Sequence, residues 1–296
     1  MRVAVQVQAM VAHSTGNWPA ALRSGLDSSL LAPDLADTLF DGHLCIGEFA
    51  LTSGDPLDRV RGVAEDLHAS AVRSGARRAQ AYAATLLGEI ALINGVIDEA
   101  GAKLREAVRL SREISAVSAE ALASLRLAEA AHARGEAAEA EAIFADALAI
   151  SRWSPLNGHL LPLGYAALLR ATDDADLGRQ RLDDACAYLR EAELVCAYCG
   201  MSFRVAATIT AARAGQPDAA AAYLAAAEAT AGLWHGGPWP AALEEARGEL
   251  ALASGDRAVA LERLRRAADG FAREERRLDA NRVESRLGKV SGRSRT

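Results

Sequence analysis

Between Ala81 and Arg152 the small and large apolar positions fall into an order that is written twice. Leu87-Gly88, Ala91, Gly95, Ala100, Leu104 and Ala107 are followed, 40 residues on, by Leu127-Ala128, Ala131, Gly135, Ala140, Phe144 and Ala147. Within each copy the apolar positions recur at three- and four-residue steps, which puts them on one face of a helix. The glycine interrupts the series and marks a turn, so each copy predicts two helices folded back on each other. A period in the range of about 20–50 residues belongs to repeat architectures, in which each unit buries its apolar face against its neighbours.

The same pattern extends in both directions. A first unit over Arg2–Leu35 has Gly16 at its turn and Pro33 at its end. A second, about Thr38–Ser74, has Gly47 where its helices cross and Gly54-Asp55-Pro56 at its turn. The fifth, about Pro155–Ala192, is irregular. Its first helix is expected at Leu160–Ala171, and the acidic turn Thr172–Gly178 is longer than the others. Leu182, Ala185, Leu189 and Ala192 then share one face. The sixth regains the register with Gly215, Ala220, Leu224 and Ala227, and the seventh with Gly248, Ala251, Gly255, Ala260, Leu264 and Ala267. A last helix, about Asp279–Leu287, is expected to cap the stack. The expected organisation is one repeat domain over 1–288 and a disordered basic tail over 289–296.

Composition supports helices and narrows the partners. Hydrophobic residues make up 51% of the 296 but aromatics only 5%, and there are 68 alanines, a composition suited to closely packed helices and poor for sheets. The formal charge of −6 argues against a broad nucleic-acid footprint. No run of 18 apolar residues predicts a membrane span, and Met1–Ala12 reads as a helix and not a signal peptide. Four cysteines in a chain this long make no disulfide framework, which fits a reducing cytoplasm.

The order of small residues at the crossing, glycine at the turn and Ala, large apolar, Ala on the second helix resembles the tetratricopeptide helix pair. The 40-residue length resembles the C-terminal sensor region of large ATP-binding transcription regulators of the LuxR/MalT type. That likeness is carried by Cys196-x-x-Cys199, Ala211 to Gly215, Trp234 with Trp239, Glu245-Ala246-Arg247, Gly255-Asp256, Phe271, Leu278-Asp279-Ala280 and Leu287-Gly288. It implies an all-α, right-handed superhelical solenoid of about seven such pairs with a C-terminal capping helix. The nucleotide loop G-x-x-x-x-G-K-[ST] is not in the sequence, and eight residues after Gly288 are too few for a helix-turn-helix. The chain is therefore expected to be the sensor part alone, freestanding or cut from a longer protein, without direct DNA binding.

Three groups of residues could carry chemistry. Threading the pattern through the units turns Tyr82, Glu89, Glu129, His132, Tyr165, Arg213, Glu245 and Glu249 toward the concave groove, a mostly acidic set with aromatic interleaving that suits a basic peptide. Charged helical residues are more often merely solvated. Cys196 and Cys199 could form a thiol switch, or join Cys186 and His235 in a zinc site of three thiolates and one imidazole. The duller reading makes the cysteines small buried hydrophobes, with no cofactor. Trp234 and Trp239 could grip a ligand, or fill the space left by a long inter-repeat loop. That loop and the one holding Cys196–Gly200 both join a second helix to the next first helix, so they are expected on one edge.

Signatures of common enzymes, such as H-E-x-x-H and G-x-S-x-G, are not in the sequence, so the chain reads as a non-enzyme. The expected function is a protein- or ligand-binding scaffold. By resemblance it is a sensor in transcriptional control, with a peptide, protein or small-molecule effector in the groove; the reading allows a homodimer. The alternatives are a redox- or zinc-responsive accessory protein working through Cys196/Cys199, and a small-molecule enzyme built on a helical cage.

Overall fold

The computed structural model describes residues 17–31, 47–191, 196–234 and 236–292, together with Val7, Val11, Ala12, Thr15 and Leu44. All regular structure among them is helical, as the repeat pattern predicts. The helices are α1 (Trp18–Leu31), α2 (Leu57–Ser74), α3 (Arg77–Ile93), α4 (Ile97–Glu113), α5 (Val117–Ala133), α6 (Ala137–Trp153) and α7 (Asn157–Arg170). They continue with α8 (Ala175–Glu191), α9 (Cys199–Arg213), α10 (Pro217–Ala231), α11 (Trp239–Ala253), α12 (Arg257–Arg273) and α13 (Arg277–Ser291). A short helical stretch at 47–52 precedes α2.

One backbone device closes most of the turns. Gly95, Gly135, Gly215 and Gly255 take φ between 69° and 84°, the left-handed region that a side chain disfavours. The residue after each glycine donates its N–H to the carbonyl five residues back: Val96 to Ala91, Glu136 to Ala131, Gln216 to Ala211 and Asp256 to Ala251, at 2.8–3.0 Å. This is the helix-ending hydrogen bond of a left-handed cap, and its acceptor is the repeated alanine of the sequence pattern. The junctions to the next pair use the same device at Gly75, Ser115 and Glu275, where φ is 73°, 54° and 57°. Ala76, Ala116 and Arg276 supply the matching donors.

The irregular fifth pair departs from this for a local reason. The glycine series falls there on Ala175, and Asp174 takes over by accepting from the Leu177 N–H at 2.8 Å. That cap starts α8 at Ala175, so the turn is shorter than the expected Thr172–Gly178. At the other end of the chain α13 outruns its expected limit and closes at Gly292, with φ 75°. Arg257 Nη2 donates to the Val290 carbonyl at 2.6 Å and ties down that last turn. Residues 293–296, and most of the helix expected in the first dozen residues, lie outside the described residues.

The two helices of a pair are buried differently. In α3 every residue from Ala79 to Leu92 is buried, whereas α4 buries a stripe that includes Ala100, Leu104, Ala107 and Ser111. The first helix is covered all round and the second keeps one face in water. Their close approach depends on small residues: a Cβ at Gly88 would lie 2.6 Å from Cγ of Leu104, and at Gly248 3.0 Å from Cγ of Leu264. The chain divides into two compact units, residues 1–92 with 96–160 and residues 93–95 with 161–296. In the first, α1 packs on α2, α4 on α5 and α5 on α6. In the second, α8 packs on α9, α9 on α10 and α11, α11 on α12 and α12 on α13.

Candidate functional site

A polar residue on an all-round buried helix must find its partner inside the fold. In the first unit Glu89 on α3 is 3% exposed and meets Arg126, which stands on α5, 37 residues later. Arg126 Nε donates to Glu89 at 2.7 Å, Nη1 to Glu129 at 2.6 Å and Nη2 to Glu48 of the 47–52 stretch at 2.6 Å. One guanidinium therefore serves three carboxylates. Burial first, then the neighbouring Glu48 charge, push the Glu89 carboxyl well above the usual carboxylate range, and Arg126 offsets only part of this.

The second unit repeats the geometry with more arginine. Arg286 on α13 reaches back 37 residues to Glu249 on α11 with two bonds of 2.7 Å, and Arg213 on α9 adds a third at 2.7 Å. One helical turn away Arg282 grips both carboxylate oxygens of Glu245, again 37 residues back, and donates to Asp279 at 3.0 Å. Arg276 completes the group with a 3.2 Å bond to Asp279. Burial alone would raise Glu249 and Asp279, but the arginines outweigh it: Glu249 is held below its usual range and Asp279 down to about 2.

Glu89, Glu129, Glu245, Glu249 and Arg213 of the expected groove set are thus occupied with one another or with arginines of the fold. Each of these acids therefore meets at least one arginine of the fold, with three carboxylates sharing one guanidinium in the first unit. Tyr82 is buried, and Tyr165 is buried against Tyr188 with ring centroids 6.2 Å apart. His132 is exposed. Sequence reading missed Glu48, Arg126, Arg276, Asp279, Arg282 and Arg286. The signal was present as three Glu-to-Arg spacings of 37, one period less one helical turn.

The cysteine loop and the tryptophan loop, both in the second unit, come together as their shared edge requires. Tyr198 stands edge-on to Trp234, 5.4 Å between centroids, and Trp234 packs on Trp239 at 5.1 Å. The tryptophans are 8% and 6% exposed, so they fill the loop's interior. Gly236 and Gly237, with φ of 86° and 79°, let the chain turn back before α11. Cys199 is buried and Cys196 partly exposed, and their sulfurs lie within 4.8 Å of each other. Cys186 shares a 3.0 Å hydrogen bond with the Tyr223 hydroxyl, whose proton is held more tightly through burial and then through that thiol. His235, the fourth residue of the expected zinc set, lies outside the described residues.

The first unit also carries an open cleft of about 450 Å³ among α4, α5 and α6. Its floor is aliphatic, with Val108, Leu127, Ile143 and Ile150, and Leu127 rests on the core cluster of Ala84, Ala107, Val108 and Ala123. Arg105, Arg109 and Arg112 line its α4 side at the spacing of a single helix face, with Glu113 beside them and Asp146 of α6 as the other acid of the lining. Arg109 pairs with Glu113, and Arg112 with Glu120 at 2.7 Å. Both arginine side chains are more than half exposed, so these ion pairs are weak and exchangeable.

No family of known proteins matches the chain, and no curated protein matches it. Among the described residues no helix is long and apolar enough to cross a membrane.

Proposed function

We propose that this chain is a tetratricopeptide-like binding module that docks an amphipathic helix of a protein partner, in a sensing or regulatory role. The α4–α6 cleft carries the reading. An aliphatic floor beside a row of arginines is the form of site that receives a helix through apolar residues at i, i+3, i+4 and i+7. The arginine row selects the partner's charge: carboxylates on the helix flank can replace Glu113 and Glu120, whose bonds contribute little where they are. The occupant is therefore an acidic amphipathic helix, in contrast to the basic peptide suited to the groove set. The regulatory role rests on the likeness of the last hundred residues to the sensor regions of LuxR/MalT-type regulators.

The test uses two labelled synthetic peptides with the same leucine row, one flanked by Glu and the other by Lys. Fluorescence anisotropy should show the acidic peptide binding roughly tenfold or more tightly, with affinity falling as salt rises. Arg105→Glu combined with Arg112→Glu should reverse the preference. Preference for the basic peptide, or no effect of the charge reversal, would remove the cleft from the argument.

A further inference from the structure

We propose that Cys196 and Cys199 form a redox-active dithiol whose oxidation is reported to the Trp234/Trp239 pair through Tyr198. This stands on a different part of the molecule from the cleft and does not depend on it. The two sulfurs lie within 4.8 Å, so side-chain rotation and a small loop movement bring them to the roughly 2 Å of a disulfide bond. Gly200 donates its N–H to the Cys196 carbonyl at 2.8 Å, and Met201 to that of Tyr198 at 3.1 Å. A hydrogen-bonded turn thus leads from Cys196 into α9, which sets this residue beside the positive N-terminal end of the helix.

A second positive charge is fixed beside it. Arg204, partly buried on α9, donates from Nη1 to the Ala197 carbonyl at 3.3 Å and to the Thr230 hydroxyl at 3.0 Å. Its guanidinium lies over Gly200, where a Cβ would sit 3.3 Å from Nη1. The positions divide the labour: Cys196 is partly exposed and attacks, while Cys199 is 4% exposed and resolves.

The reaction is thiol–disulfide exchange with a small-molecule disulfide as oxidant. The Cys196 thiolate attacks one sulfur of the oxidant and expels its partner as a thiolate, which takes up the Cys196 proton. Cys199 then loses its proton, attacks the Cys196 sulfur and expels the second small thiolate, which takes that proton. The dithiol gives up two electrons and the oxidant becomes two thiols. Tyr198 lies between the two cysteines, so closing the bond moves its ring against Trp234.

The test exposes the full chain to oxidised and reduced glutathione in graded ratios. The expected result is the loss of two hydrogens by intact mass, a Cys196–Cys199 bond in the peptide map, and a tryptophan fluorescence change with the same midpoint. Cys196→Ser and Cys199→Ser should each abolish all three, while Cys186→Ser should leave them. Arg204→Met should slow the first step roughly tenfold. A bond to another cysteine, fluorescence indifferent to bond formation, or thiols unreactive until one equivalent of zinc is chelated away would each overturn the proposal.

Discussion

Glu89 and Glu249 occupy the same place in the repeat, four repeats apart, and each receives an arginine from 37 residues further on. Their surroundings then diverge. Glu89 shares Arg126 with Glu48 and Glu129, so three carboxylates divide one guanidinium. Glu249 has Arg286 and Arg213, and its neighbours Glu245 and Asp279 have Arg282 and Arg276. The same buried acid is driven toward its protonated form in one unit and held ionised in the other. A repeat position thus fixes where a side chain points, while the residues of neighbouring repeats decide its chemistry.

The sharpest way to break this comparison is to remove the shared arginine. Arg126→Met leaves three carboxylates around an uncharged side chain and should destabilise the first unit by about 3–5 kcal/mol. Arg286→Met leaves Glu249 with Arg213 and should cost only about 1–2 kcal/mol. Urea unfolding of the two variants measures both. Equal losses would mean that the contrast between the units is only apparent.

Acidity tests the contrast with opposite signs. A carboxyl whose folded pKa is raised binds its proton more tightly when folded, so its contribution is complete below the unfolded value and is lost as pH rises through the folded one. That is Glu89, and Glu89→Gln should abolish the decline. Asp279, held at about 2, behaves in reverse: its contribution is present above an unfolded value near 4 and disappears as pH falls toward 2. Asp279→Asn should lose about 1–2 kcal/mol at neutral pH, allowing for the 23% of its side chain that meets water, and progressively less as pH falls through about 2. Thermal unfolding across pH separates the two slopes.

What the sequence discloses follows from what a side chain needs locally. The turn glycines and the alanines that accept their closing bonds are legible because only small residues fit a left-handed turn or a close crossing. Asp174 is not legible as a cap, since the glycine expected in its turn is replaced by Ala175 and the next glycine is Gly178. Glu89, Glu129, Glu245 and Glu249 are legible as acidic residues that the pattern turns toward the groove and not toward partners inside the fold. Their arginines are not, because each stands a repeat later and one turn earlier on its own helix. Arg105, Arg109 and Arg112 look like an ordinary solvated stripe until Leu127 of α5 and Ile143 and Ile150 of α6 set an aliphatic floor beside them.

The smallest effect is the control for the comparison. Ser115 and Glu275 also share a repeat position, four repeats apart, and both adopt left-handed backbone at φ of 54° and 57° without being glycine. Here the neighbours should not matter, because the strain lies in each residue's own Cβ and carbonyl. Both side chains are exposed, so truncation removes little packing. Ser115→Gly and Glu275→Gly should each stabilise their unit by about 0.5–1 kcal/mol, less than the strain itself because glycine loses more freedom on folding. Denaturant midpoints of the single variants give the measure. A gain at one position and a loss at the other would show that the two units differ in their backbone as well as in their buried charge.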